Sequence, residues 1–188
     1  MHLLVIAATG PEMTSIKSQI KNLQISGLDV HFFTTWIGNY ETIFSLTKYL
    51  ESNPKNIPDF LLNIWVCGYT DNKPEFIQVA RIINASIQKE IMVPLPIIVW
   101  ILATCVSSET PVITWNESYY DMEAFAVEYV GQKYKIPRII LKIPVDRIGW
   151  ETNNFDYKKA LTMVEQQIPY REVLENIKGY ITPLTPLY

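Results

Sequence analysis

Leu3 to Ala8 is an unbroken apolar run, the pattern of a strand buried on both faces. Thr9-Gly10-Pro11 breaks it, and Met13, Ile16, Ile20 and Leu23 then recur at helical spacing from Glu12 to Leu23. Leu28 to Thr35 predicts a second strand. Gly38-Asn39 opens a helix through Leu50, which Ser52-Asn53-Pro54 ends. Phe60 to Val66 predicts a third buried strand, stopped at Gly68. Phe76 to Val93 fits both periods and is read as strand-containing, and Ile97 to Val106 follows as another strand. Ser107 to Trp115 is loop-like. Tyr120 to Tyr134 predicts a helix with Met122, Phe125, Ala126, Tyr129 and Val130 on one stripe. Pro137 starts a strand to Val145, and Tyr157 to Lys178 predicts a final helix interrupted at Pro169. Such alternation predicts an α/β fold of three layers, a mixed but mostly parallel central sheet with helices on both faces. Residues 1–188 are expected to form one domain, with 179–188 as a tail.

Composition narrows the class. The chain has 188 residues, 48% of them hydrophobic and 19% charged, at a net charge of −3. That is ordinary globular composition, with no basic footprint for nucleic acid. No segment reaches the roughly 20 apolar residues of a membrane span, and the first residues read as strand rather than signal peptide. A cytoplasmic location is expected. The two cysteines, Cys67 and Cys105, sit in apolar runs and are expected to be buried and reduced. His2 and His31 form no ligand-spaced cluster, so no metal is expected; no cofactor is expected either. A dinucleotide fold is disfavoured, because the first turn, Ala8-Thr9-Gly10-Pro11-Glu12, is not G-x-G-x-x-G, and there is no P-loop.

Three acids stand where the elements of one sheet begin or end. Glu12 follows the first strand, Glu123 lies near the start of a helix, and Asp146 ends an apolar strand. Singly, each also reads as an ordinary acid complementing a helix end or closing a turn. At helical spacing Glu123 neighbours Val127, Val130 and Tyr134, whereas Glu128 points away from that sector and is expected to be solvated. In an open α/β sheet, strand ends and their loops form the ligand crevice. Acids gathered there can hold a polyol and donate a proton.

The residues that carry a family resemblance occur in order along the chain. They are Leu3 to Glu12, Thr35-Trp36-Ile37-Gly38-Asn39, Pro58 to Gly68, Asp121-Met122-Glu123, and Ile143-Pro144-Val145-Asp146. With them the chain resembles the nucleoside phosphorylase/nucleosidase family, which includes purine nucleoside phosphorylases, methylthioadenosine/adenosylhomocysteine nucleosidases and futalosine hydrolases. It reads as a shortened and divergent member, the loss falling between Gly68 and Asp121.

The resemblance implies cleavage of the N-glycosidic bond of a purine-type nucleoside, with hydrolysis favoured over phosphorolysis. Glu123 would bind the ribose 2′- and 3′-hydroxyls, and Met122 would lie on the sugar. Asp146 would protonate the leaving purine, and Glu12 would orient or deprotonate the attacking water. Gly38, Gly68, Val112 and Lys142 complete the expected substrate-binding set, with Ser108 to Ile113 supplying the base wall. Aromatic side chains at Trp36, Tyr40, Tyr69, Trp115, Tyr119 and Tyr120 are candidates for base stacking, core packing or subunit contact. The partner is a small nucleoside, with phosphate if the reaction is phosphorolysis, and a homodimer or higher homo-oligomer is implied. The departures are Trp65 where the family favours glycine, Val66 where it favours a small polar residue, and Lys142 where it often carries arginine. They support an alternative: a catalytically weakened nucleoside-binding relative with an altered nucleophile pocket.

Overall fold

The computed structural model describes residues 1–70, 76–112, 119–149 and 154–181. Its elements in chain order are β1 (His2–Ala7), α1 (Gly10–Ile20), β2 (Asp29–Thr34), α2 (Asn39–Ser52), β3 (Phe60–Tyr69), β4 (Ile77–Asn84), β5 (Lys89–Met92), β6 (Leu102–Ser107), β7 (Tyr119–Asp121), α3 (Ala124–Lys133), β8 (Arg138–Arg147), α4 (Tyr157–Gln167) and α5 (Tyr170–Ile181). Ile113, Trp115 and the chain beyond Ile181 carried sequence expectations that lie outside the described residues.

The fold is mixed α/β with a mostly parallel sheet. Strand order is β2-β1-β3-β7-β6-β4-β5, and β8 pairs with both β3 and β4. The parallel pairs are β1 with β2 and β3, β3 with β8, β4 with β6, and β6 with β7. Unbroken apolar runs make central strands of this kind, since neither face meets water. Along β1, β3 and β8 alternate side chains serve two separate cores. Leu3, Val5, Phe60, Leu62, Ile139, Leu141 and Ile143 pack with α1, α4 and α5 through Met13, Ile16, Val164 and Leu174. Leu4, Ile6, Leu61 and Ile140 pack with α2 and α3 through Leu46, Leu50, Val127 and Val130. None of the described helices is long and apolar enough to cross a membrane.

Four sequence readings are corrected. The helix expected from Tyr120 begins at Ala124, because Tyr119 to Asp121 form a short strand between β3 and β6. Non-local pairing wins over helical periodicity there. Strand β3 runs past Gly68 to Tyr69 instead of stopping short of it. The strand expected from Ile97 begins only at Leu102. Its expected first half is held instead by the buried Gln78 side chain, which donates to Ile97 O at 2.7 Å and accepts from Val99 N at 2.8 Å. Glu128 is fully buried rather than solvated. Arg138, at the head of β8, folds back on it, with Nε donating to Glu128 Oε2 at 2.7 Å and a second guanidinium nitrogen to Oε1. Gly131 makes room for this, since a Cβ there would lie 2.3 Å from Arg138 Cδ.

Candidate active site

The strands β1, β3 and β8 end at one cavity of about 320 Å³. Glu12, Met122, Glu123, Gly68, Val112 and Asp146 line it, together with Thr9, Trp65, Val66, Tyr120, Asp121, Phe155 and Tyr157. All three acids singled out by position in the sequence therefore meet in one place. Gly38 and Lys142 stand behind the wall rather than on it.

Glu12 lies in the first turn of α1, where Thr9 precedes the helix. Its Oε2 accepts from Thr9 N at 3.3 Å and from Thr9 Oγ1 at 2.7 Å. Its Oε1 has no hydrogen-bond partner among the described residues, although the side chain is only 1% exposed. Burial pushes its pKa up to about 8, against the Thr9 hydrogen bonds and with help from the nearby Glu123 charge.

Glu123 occupies the cap position of α3, one residue before the helix rather than inside it. Gly38 N donates to its Oε1 at 3.2 Å. Gly38 has φ +104°, a conformation open to glycine at little cost, so backbone there reaches the carboxylate directly. Burial raises the Glu123 pKa to about 7; Lys142 draws it down and Asp121 pushes it up.

Lys142 is a charge in the middle of an apolar strand, and it is fully buried. Its Nζ lies 2.5 Å from Asp121 Oδ2 and 3.8 Å from Glu123 Oε2. Burial opposes its positive charge, but the two carboxylates outweigh that and hold its pKa above the ordinary value. Asp121 Oδ2 also accepts from Glu123 N at 3.3 Å and Ala124 N at 2.7 Å, so one carboxylate both caps α3 and neutralises the lysine.

Asp146 is half-buried near the end of β8. The register against β3 slips between Cys67 and Gly68, so that Cys67 faces Pro144 and Gly68 faces Asp146. A bulge is where a central strand can accept a proline. A Cβ at Gly68 would lie 3.7 Å from Asp146 Oδ2 and 3.2 Å from Ile148 Cγ1, so the glycine leaves the approach to that carboxyl open. Trp65, 7% exposed, lines the same cavity as Glu12 and pairs with Lys142 in register. Among the other aromatics, Tyr120 lines the cavity, whereas Trp36 and Tyr40 are largely exposed and do not line it.

Asn39 joins the elements around this floor. Its Oδ1 accepts from Ser107 Oγ and Ala126 N, and its Nδ2 donates to Ser108 O. Asp121, Thr9, Phe155 and Tyr157 had no assigned role in the sequence reading. A lysine inside an apolar strand was the available signal for Asp121, since a buried cation needs a buried acid. Among the described residues no group of His, Cys, Asp and Glu side chains is placed to hold a metal ion.

The raised carboxyls make stability fall with pH. Glu12 and Glu123 keep protons in the folded state that the unfolded chain releases near the ordinary carboxylate value. Their contribution is complete below that value and is lost as pH rises through about 7 and about 8. Thermal unfolding followed from pH 5 to pH 9 is expected to show Tm declining across this window, with a shallower decline in Glu12→Gln. A Tm that rises across it would contradict the site electrostatics.

No protein-family model and no curated protein sequence matches the chain. Solved structures do. A methylthioadenosine/S-adenosylhomocysteine nucleosidase from Colwellia psychrerythraea, in complex with adenine, superposes with a TM-score of 0.76 at 14% identity, over 96% of each chain. The nucleosidase of Chlamydia trachomatis matches with a TM-score of 0.75 at 17% identity, over 97% of this chain and 99% of its own. A futalosine hydrolase mutant from Helicobacter pylori matches with a TM-score of 0.75 at 11% identity, over 95% and 99%.

The chain has the nucleosidase fold.

Within the nucleosidase fold, these identities leave the activity to be argued from the cavity itself.

Proposed function

We propose that this protein hydrolyses the N-glycosidic bond of a purine-type nucleoside. The observation that carries the reading is the convergence of Glu12, Glu123 and Asp146 on one cavity, with no lysine or arginine among its described lining residues. Glycosidic cleavage passes through an oxocarbenium-like transition state, which negative groups near the sugar stabilise while an acid neutralises the departing group. Glu123, fixed by Gly38, binds the ribose 2′- and 3′-hydroxyls, with Met122 against the sugar. Asp146, reached past Gly68, protonates the leaving purine beside Val112. Glu12 takes the proton of the attacking water. Lys142 acts from behind, holding Asp121 and Glu123 without touching substrate.

Acids without a lining cation favour water over phosphate as the acceptor, because a phosphate dianion would meet like charge. A second reading, nucleoside binding with weakened turnover, draws on Trp65 and Val66, which bring apolar atoms to the wall where a water would be held. The two clusters of core residues on opposite sets of helices support a three-layer, single-domain description of residues 1–188. A cytoplasmic homodimer or higher homo-oligomer belongs to the same reading.

The test is release of free base from a panel of purine ribosides, with and without phosphate. Release independent of phosphate is expected. Release only with phosphate would make the protein a phosphorylase, and binding without release would establish the weakened relative.

A further inference from the structure

Two hydroxyls lead away from Glu12. Thr9 Oγ1 donates to Glu12 Oε2 at 2.7 Å and lies 2.5 Å from Tyr157 OH. A hydroxyl has one proton to give, and that of Thr9 is committed to Glu12. Tyr157 therefore donates to Thr9, and the chain runs Tyr157 to Thr9 to Glu12. When Glu12 holds a proton, the same three groups can reverse: Glu12 donates to Thr9, Thr9 to Tyr157, and Tyr157 outward. The two ends differ in access, since Tyr157 is 36% exposed and Glu12 is 1% exposed.

We propose that Thr9 and Tyr157 are positioning residues forming a proton relay between the buried Glu12 and solvent. The inference rests on the reading of Glu12 as the group that activates water. In that reaction the water oxygen bonds to the anomeric carbon as the carbon–nitrogen bond breaks. The leaving nitrogen takes the proton of Asp146, and Glu12 takes the proton of the water. Before the next turnover Glu12 must release its proton and Asp146 must regain one from solvent. The hydroxyl chain gives Glu12 an exit along the cavity wall, from Thr9 to the partly exposed Tyr157. Glu12 Oε1, without a hydrogen-bond partner among the described residues, is left for the water, and a half-turn of the carboxyl about Cγ–Cδ then brings the protonated oxygen to Thr9.

The charged groups around Glu12 among the described residues are Glu123 at the head of α3, Lys142 within β8, and Asp121 and Asp146, which line the same cavity from β7 and β8. Tyr157 opens α4 and stands 148 positions from Thr9 in sequence, so the pair could also serve only as a clasp between α1 and α4.

Titration of the Glu12 carboxyl by carbon-13 NMR in the unliganded protein separates relay from clasp. Loss of donors to a carboxylate favours its neutral form. Tyr157→Phe, which keeps the ring but removes the donor that polarises the Thr9 hydroxyl, is expected to raise the Glu12 midpoint, and Thr9→Val, which removes the carboxylate's own donor, to raise it further, by on the order of 1 pH unit. Thr9→Ser keeps the hydroxyl and leaves the midpoint in place. In turnover, Tyr157→Phe is expected to move the ascending limb of the kcat profile upward with the midpoint. Below that limb it lowers kcat on the order of tenfold while KM stays nearly constant. Midpoints and limbs that stay fixed in both Tyr157→Phe and Thr9→Val would reduce the pair to a clasp and overturn the relay, as would a change confined to KM. If the unaltered protein releases no base from any nucleoside, the hydrolase reading falls, and the NMR midpoints still decide whether the chain of hydroxyls reaches Glu12.

Discussion

Asp146→Asn is expected to lower turnover of purine ribosides by roughly 10²–10⁴-fold, the usual scale of general-acid catalysis. The amide keeps the shape of the carboxyl but has no acidic proton to give. Ribosides whose leaving group departs as a stable anion, such as a nitrophenolate, should be spared. Asp146 has the position for this role: it is half-buried, lines the cavity with Glu12 and Glu123, and is approached across a glycine. Comparing kcat/KM for the two substrate types checks the prediction. Equal losses would make Asp146 a positioning group, and no loss in either would remove the catalytic reading of β8.

Lys142→Met should cost roughly 3–5 kcal/mol of folding stability, because it leaves Asp121 charged and unpaired in the interior. Both side chains are fully buried, and Asp121 also holds the first amides of α3. Denaturant unfolding gives the measurement. The double variant Lys142→Met, Asp121→Asn is expected to recover part of the loss, since the amide oxygen can still cap the helix and no buried charge remains. A Lys142→Met protein as stable as the parent would mean that Asp121 is held neutral or hydrated without the lysine. Lys142→Met also removes the cation nearest Glu123, so its carboxyl is expected to titrate higher still.

Much of this arrangement was legible in the sequence, for reasons that differ from residue to residue. Unbroken apolar runs marked β1, β3 and β8 because parallel strands covered on both faces have no polar side to show. Glu12 and Asp146 stand out because the end of a strand and the turn that follows it lie at the crevice. Glu123 stands out by its position near a helix start, but the sequence places it inside the helix rather than at its cap, since the strand pairing of Tyr119 to Asp121 is invisible to local periodicity. Glu128 failed for a similar reason. A helical wheel sets it outside the apolar stripe, yet the partner that buries it, Arg138, comes from the next strand across a gap opened by Gly131. The Asp121–Lys142 pair was missed although half of its signal was present, a lysine in a run that is otherwise apolar. The pairing of Thr9 with Tyr157 has no counterpart in local sequence at all.

The two cysteines lie where sulfur chemistry is slowest. Both thiols are buried and unpaired with each other, and burial holds each well above the ordinary thiol range, so almost none of either exists as thiolate. Cys67 nevertheless forms part of the cavity wall, whereas Cys105 sits within the second core. Their reaction with an alkylating reagent is therefore governed by breathing of the protein rather than by the sulfur. Cys105 keeps time for the opening of the core, Cys67 for the opening of the cavity, and an occupant of the cavity slows the second clock while leaving the first to run.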